Sequence, residues 1–122
     1  MSIIPSSICY VEIPAPDIEK ARIFYSSLFN WEILQSELTD QKYYMFKTGE
    51  NSLMGGLDST KSVSDQGVLL YLKVEKIIST LEMIEKSGGK VVRTKFEIGG
   101  GYGFSAVFAD PNGNHLGLWS EK

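Results

Sequence analysis

The stretch IPAPDIEKARIFYSSLFNWEI, residues 13–33, contains the transition that decides the fold. The residues before it, from about position 7, are apolar and rich in β-formers, which predicts a strand over residues 7–13. Prolines then interrupt this strand, and Asp17 follows them as a good helix N-cap. Apolar side chains recur at helical spacing at Ile18, Ala21, Tyr25 and Leu28. This pattern predicts an amphipathic helix over Asp17–Phe29.

Three short strands are predicted after this helix, and the second half of the chain repeats the same order. In the first half they are WEILQSEL (31–38), KYYMFKT (42–48) and SLMGGL (52–57). In the second half the predicted elements are a strand in GVLLYLKV (67–74), a helix over about Lys76–Ser87, and strands in KVVRTKFEI (90–98), YGFSAVFA (102–109) and NHLGLWS (114–120). We therefore predict a single domain, residues 1–122, made of two modules of about 1–60 and 61–122.

Two glycine-containing segments join predicted strands. GGGYG, residues 99–103, has no helix after it, which favours a hairpin loop over a phosphate-binding loop. DPNG, residues 110–113, has proline at its second position and glycine at its fourth, which suits a type I turn. Both segments are predicted to be hairpin connections.

Composition and charge exclude several classes of protein. The net charge of −3, without a run of like charges, argues against a nucleic-acid partner. Cys9 is the single cysteine, so no intrachain disulfide can form, and its apolar neighbours predict a buried, inert thiol. The N terminus has no signal-peptide pattern and no segment is long enough to span a membrane. We expect a cytoplasmic protein without a membrane partner.

Two signatures, at residues 13–33 and in VFADPNGNHLGLW (107–119), resemble the vicinal oxygen chelate superfamily. This superfamily includes glyoxalase I, the bleomycin resistance proteins and the extradiol dioxygenases. The resemblance covers nearly the whole chain and implies an α+β fold of the glyoxalase/bleomycin resistance/dioxygenase type. Two βαβββ modules would curl around a cavity.

The resemblance also implies four positions for ligands of a divalent metal, usually His, Glu or Gln. Carried across residue by residue, they fall at Tyr10, Gly56, Leu69 and Gly117. Glycine and leucine offer no side-chain donor, and one phenol cannot hold a divalent ion alone. We therefore expect no metal and no other cofactor. The glycines would leave free volume in which a bound molecule could approach the backbone.

Strand alternation extends this set to a predicted pocket, because every second side chain shares a face. If Gly117 faces the cavity, His115 and Trp119 face it too, while Leu116 and Leu118 point into the core. The predicted ligand-binding residues are Tyr10, Glu12, Met54, Gly56, Leu69, Tyr71, His115, Gly117 and Trp119. Glu12 and His115 are the candidate catalytic pair, with the imidazole as general base and the carboxylate orienting it. His115 as a simple ligand contact is the alternative.

Four functions follow from these features. The first is a metal-free small-molecule binding protein with an aromatic-lined pocket. The second is a metal-dependent lyase, isomerase or dioxygenase of the superfamily, which requires a different alignment of the ligand positions. The third is a metal-free enzyme that uses Glu12 and His115, and the fourth is an accessory domain. Open sheet edges and the small size favour a homodimer, and a small organic ligand is the expected partner.

Overall fold

The computed structural model describes residues 5, 8–35 and 42–122. The elements of the first half are β1 (Tyr10–Pro14), α1 (Ile18–Phe29), β2 (Glu32–Gln35), β3 (Tyr43–Lys47) and β4 (Met54–Asp58). Those of the second half are β5 (Tyr71–Lys73), α2 (Ile77–Lys86), β6 (Lys90–Glu97), β7 (Phe104–Ala109) and β8 (His115–Ser120). The order of strand, helix and three strands therefore occurs twice, and the predicted α+β class is confirmed.

Each half forms its own four-stranded sheet. The first sheet has the order β1-β4-β3-β2, with β1 parallel to β4. The second has the order β5-β8-β7-β6, with β5 parallel to β8. The other neighbouring strands are antiparallel. The first strand of each half, β1 or β5, therefore occupies the same edge position in its sheet.

The first strands of both halves are shorter than predicted. β1 begins only at Tyr10, so Cys9 lies before the strand and its thiol is exposed. The prediction of a buried Cys9 is therefore wrong, because that burial depended on a strand extending back through this segment. In the second half a strand was predicted at 67–74, and the observed strand is only β5. Gly67, at the start of the predicted strand, has a φ of 101°, which is outside the extended region. The predicted strand end at 36–38 lies outside the described residues.

The helices begin and end close to their predicted limits. The Asp17 carboxylate accepts the backbone N–H of Lys20 at 3.2 Å, as expected of an N-cap. After α1, Asn30 takes the left-handed conformation, with a φ of 58°. α2 buries Ile77, Leu81 and Ile84. Neither helix in the described part of the chain is long and apolar enough to cross a membrane.

The two halves share one apolar core. Phe24 and Phe29 of α1 contact Phe108 of β7, with ring centroids 6.1 and 5.9 Å apart respectively. Trp31 stacks on Tyr25 at 4.5 Å and extends this aromatic layer towards the first sheet. Helix α1 therefore belongs to the first half by sequence but packs against strands of both halves.

The DPNG segment forms the predicted hairpin turn between β7 and β8. Its ends are closed by a hydrogen bond from Gly113 N–H to the Asp110 carbonyl at 2.9 Å. Gly113 has a φ of 98°, which glycine adopts without steric cost. The turn prediction is therefore confirmed.

The same turn also fastens the second half to the first. Asn112 accepts the Asp17 N–H at 2.7 Å through its side-chain oxygen, and its amide nitrogen donates to the Asp17 carbonyl at 3.0 Å. The side-chain amide of Asn114 donates to the Pro14 carbonyl at 2.6 Å. Residues 110–114 thus form a DPNGN clasp that holds the junction between β1 and α1, a role that a simple turn does not imply.

Asp110 is the buried centre of this clasp. Its carboxylate accepts the Tyr25 hydroxyl at 2.8 Å, the backbone N–H groups of Asn112 and Asn114 at 2.9 Å each, and the Asn114 amide at 2.9 Å. Burial, with Asp110 beside it, raises the pKa of Tyr25 well above its usual value. The phenol therefore remains a donor, and this bond connects helix α1 to the turn before β8.

Candidate functional site

The predicted site residues lie mostly on the open faces of the two sheets, meaning the sides turned away from the shared core. On β1, Val11 and Ile13 pack in the core, so Tyr10 and Glu12 lie on the open face. In the strand register Tyr10 is opposite Met54 and Glu12 is opposite Gly56. All four residues predicted from the first half therefore share one face.

The second sheet repeats this arrangement. Leu116 and Leu118 are 2% and 0% exposed in the core, as strand alternation predicted, which leaves His115, Gly117 and Trp119 on the open face. Tyr71 pairs directly with Gly117. Leu69 precedes β5 and is half-buried. The pairings of Glu12 with Gly56 and of Tyr71 with Gly117 support the equivalence of the two glycines.

Tyrosine rings fill the space beside both glycines. A Cβ atom placed on Gly56 would lie 2.0 Å from the Tyr43 hydroxyl oxygen. A Cβ atom on Gly117 would lie 2.4 Å from the ring of Tyr71. The free volume that the sequence suggested for a ligand is therefore occupied by the protein itself. Glycine is required at these positions because a neighbouring ring rests on the backbone.

This packing predicts that Gly117→Ala lowers the free energy of unfolding by about 1–3 kcal/mol, the usual cost of overpacking. Tyr71→Ala should lower the free energy of unfolding less in the Gly117→Ala background than in the parent protein, because it removes the ring that the new methyl group meets. Chemical denaturation of the four proteins in this double-mutant cycle measures the coupling. Simple additivity would show that the ring does not constrain position 117.

A hydrogen-bonded cluster surrounds Glu12 on the first open face, and we call Tyr10, Glu12, Tyr43 and Lys61 the Glu12 cluster. The hydroxyl oxygens of Tyr10 and Tyr43 are 2.6 Å apart. Tyr43 donates to one oxygen of the Glu12 carboxylate at 2.9 Å, and the Lys61 ammonium donates to the other at 2.5 Å. The carboxylate therefore has a phenol on one side and a cation on the other.

The cluster determines the protonation of its members. Hydrogen bonds from Lys61 and then from Tyr43 lower the pKa of Glu12, so its carboxylate is ionised at neutral pH. Burial, with the hydrogen bonds to Tyr10 and Glu12, raises the pKa of Tyr43. Glu12 is thus a stable anion and a weak proton acceptor. Tyr43 remains a neutral hydrogen-bond donor.

Glu12 and His115, the candidate catalytic pair, line the same cavity, which has a volume of about 230 Å³. It lies beside β1 and the start of β8, and residues 62–70 contribute its remaining wall. Leu69 lines a smaller neighbouring cavity together with His115. The Glu12 carboxylate accepts its hydrogen bonds from Tyr43 and Lys61, and the His115 imidazole has no hydrogen-bond partner among the described residues. The predicted orienting bond between the two is therefore not made in this structure.

Aromatic side chains dominate the open face of the second sheet. Tyr71 is 52% exposed, and the indole N–H of Trp119 donates to the Tyr102 carbonyl at 2.8 Å. The Lys73 ammonium lies 5.7 Å from the centre of the Trp119 ring. This face offers flat apolar surface with a cation beside it.

A family model described as the Glyoxalase/Bleomycin resistance protein/Dioxygenase superfamily matches residues 7–118. The chain belongs to this superfamily. A glyoxylase-like domain-containing protein of Didymella fabae is 27% identical over 110 residues, which cover 85% of each chain. These matches agree with the resemblance seen in the two sequence signatures.

Solved structures of the glyoxalase superfamily share the fold at low sequence identity. A family enzyme from Burkholderia phytofirmans PsJN has a TM-score of 0.75 and 16% identity, covering 93% of this chain and 97% of its own. A lactoylglutathione lyase from Agrobacterium tumefaciens has a TM-score of 0.64 and 17% identity, covering 95% of this chain and 94% of its own. At these identities the likeness establishes the architecture alone.

The residues of this glyoxalase-superfamily chain do not fit the divalent metal that the superfamily implies. At the four aligned positions, Tyr10 alone carries a polar side chain, and its hydroxyl already contacts Tyr43. In the described ranges no three His, Cys, Asp or Glu side chains come together in a way that could hold a metal ion. A divalent transition metal requires several imidazole, carboxylate or thiolate donors, which this donor set lacks.

Sequence reasoning missed Tyr43 and Lys61. Tyr43 could have been found, because alternation along KYYMFKT places it two residues from Met45, which is opposite Gly56. Lys61 had no comparable signal, because it lies in the connection between β4 and β5, outside any periodic element. Its role depends on the path of that connection in three dimensions.

Proposed function

We propose that this glyoxalase-superfamily chain is a small-molecule binding protein that works without a metal. The observation that carries the proposal is the replacement of the expected metal ligands by Gly56 and Gly117, each covered by a tyrosine ring. The open faces carry aromatic side chains, and Glu12 supplies an ionised carboxylate among them. Such apolar surfaces with a few polar groups are typical of sites for organic ligands.

The ligand-contacting residues in this proposal are the nine predicted from sequence, with Tyr43 and Lys61 added, and at Gly56 and Gly117 the ligand meets the tyrosine ring that covers the glycine. Glu12 and His115 supply the polar contacts, since each lies on an open face and lines the same cavity. Tyr10, Tyr71 and Trp119 supply flat apolar contacts.

The proposal includes a cytoplasmic homodimer, for which the edge strands and the 52% exposed Tyr71 provide support. Sedimentation as a monomer at micromolar concentration would contradict the dimer.

Metal-free catalysis by Glu12 and His115 is the second candidate, because both residues line one cavity. The lowered pKa of Glu12 suits an electrostatic role and not that of a base, which leaves His115 as the proton acceptor. A turnover assay of His115→Gln on any ligand that is found to be converted would test this role.

Chelator-treated protein provides the test of metal-free binding. Thermal-shift screening against a metabolite and antibiotic library should find an organic ligand that stabilises the protein equally with and without chelator. A ligand at a hundred times its dissociation constant should add about 2.7 kcal/mol. Zinc, nickel, iron or manganese should not stabilise the protein. Stoichiometric metal that survives chelator dialysis, or a ligand that binds only with metal, would contradict the proposal.

Tryptophan fluorescence then locates the ligand. Trp31 is 7% exposed and provides a constant background, whereas Trp119 lies on the open face of the second sheet. Quenching that disappears in Trp119→Phe places the ligand on that face. Quenching that persists in Trp119→Phe would place it elsewhere.

A further inference from the structure

The cavity beside β1 has a distinctive charge. Among the described residues, Glu12 is the only acidic one that lines it, and none of those in its lining is a lysine or arginine. His115 also belongs to the lining. Most of the remaining wall is apolar, formed by Val11, Ile13, Pro14, Val68, Leu70 and Leu116. A ligand in this cavity therefore meets one carboxylate at the edge of an apolar surface.

Glu12 and Asn114 provide hydrogen-bond acceptors in this wall, which also contains Ser62, Ser64 and Gln66. Asn114 is 6% exposed, and its amide hydrogens are used by the Pro14 carbonyl and the Asp110 carboxylate. Its side-chain oxygen, which can only accept, has no donor among the residues that the structure describes. The Glu12 carboxylate accepts one bond at each oxygen and can accept more. A ligand that pairs with the Glu12 and Asn114 oxygens must supply donors.

The cation that now neutralises Glu12 comes from the adjoining connection and not from the cavity wall. The Lys61 side chain is 47% exposed, and residues 62–70 continue from it along the cavity. Exposed ion pairs of this kind contribute little free energy, so another cation can compete with Lys61 for the carboxylate. The ammonium of Lys61 therefore shows which chemical group the Glu12 position accepts.

From this geometry we infer that the cavity binds a small organic cation, a primary ammonium on a short apolar body. This inference rests on the proposed small-molecule binding function and specifies the ligand class. The ammonium takes the place of Lys61 at Glu12 and donates to the Asn114 side-chain oxygen, while the apolar body lies against Val11 and Leu116. The volume of about 230 Å³ is below the roughly 300–1,000 Å³ of pockets for drug-sized ligands, so the body is small.

His115 is the only histidine of the chain, which makes its imidazole NMR signals an unambiguous reporter of this cavity. We would titrate chelator-treated protein at one neutral pH with three matched probes: butylammonium, butyrate and butanol. Butylammonium should shift the imidazole signals saturably. Butyrate should not, because the carboxylate of Glu12 repels it, and butanol should bind more weakly than the cation.

Variants separate the roles of the two charges. Glu12→Gln should weaken butylammonium binding about tenfold or more, because a charge-assisted hydrogen bond is lost. Lys61→Met should tighten it about two- to fivefold, because the resident competitor is removed. Glu85→Gln, an exposed carboxylate on α2, is the matched control and should leave the affinity unchanged. Circular dichroism and thermal melts would establish that each variant is folded.

Several results would overturn the inference. These are saturable binding of butyrate, an unshifted imidazole signal with butylammonium, or weaker butylammonium binding in Lys61→Met. A library ligand that quenches Trp119 but leaves His115 unshifted would remove this inference and leave the proposed function intact, because Trp119 lies about 13 Å along the strand from His115 at the usual rise per residue. If every ligand bound only in the presence of metal, the proposed metal-free function would be contradicted instead.

Discussion

Asp110→Ala should lower the free energy of unfolding by about 3–5 kcal/mol, although the residue is not itself a candidate ligand contact. The carboxylate accepts four hydrogen bonds, and bonds to a charged group each contribute about 1.5–3 kcal/mol before water and relaxation recover part of the loss. The variant also leaves the buried Tyr25 hydroxyl without its acceptor. Urea denaturation followed by circular dichroism gives the difference directly.

Two further variants control this experiment. Asp65→Ala removes an exposed aspartate and should change stability by no more than about 0.5 kcal/mol. Asp110→Asn preserves the shape but not the charge, and should lie between the parent and Asp110→Ala. A loss below about 1 kcal/mol for Asp110→Ala would mean that the DPNGN clasp contributes little to holding the halves together.

Phe108→Ala should have a comparable effect, about 3–5 kcal/mol, because it empties the centre of the shared core. Phe108 is fully buried and contacts Phe24 and Phe29 of α1, across the boundary between the two halves. The loss should therefore destabilise both sheets together. Phe96→Ala, on the neighbouring strand, removes a ring that is 56% exposed and serves as the matched control.

The two tryptophans make the shared core testable. Trp31 belongs to the first half and Trp119 to the second, and Trp119→Phe isolates the signal of Trp31. In Phe108→Ala both reporters should show one common unfolding midpoint, as in a two-state transition. Separate midpoints would show that each half has a core of its own.

Local patterns in the sequence were sufficient to predict the order of helices and strands, and the resemblance to the superfamily implied how they are arranged. Asp17 and the apolar spacing after it define α1, because N-capping and helix periodicity act within a few residues. Alternation along NHLGLWS placed Leu118 in the core, because strand periodicity is equally local. The prediction for Cys9 failed because apolar neighbours alone do not form a strand. The pairing of β1 with β4 begins at Tyr10, so Cys9 lies outside it.

The candidate site was harder to predict because its contacts are distant in sequence. Tyr43 and Lys61 reach Glu12 from 31 and 49 positions away, and neither lies in a motif that indicates the contact. The resemblance to the superfamily pointed to the two glycines, but the reason for glycine at these positions comes from the structure, which shows a tyrosine ring against each. Alternation could place Glu12 and His115 on open faces, whereas the cavity between them depends on how β1, β8 and the connection meet.

The DPNGN clasp has a consequence for how the chain can fold during synthesis. Asn112 and Asp17 are 95 positions apart, and the acceptor for the Tyr25 hydroxyl is 85 positions further along the chain. Until residues 108–114 leave the ribosome, α1 has neither the Phe108 ring for Phe24 nor the acceptor for the Tyr25 hydroxyl. A nascent first half therefore exposes an incomplete aromatic layer, and such surfaces are prone to aggregation. Although the architecture is duplicated, its first copy reaches its final state only when the second is almost complete.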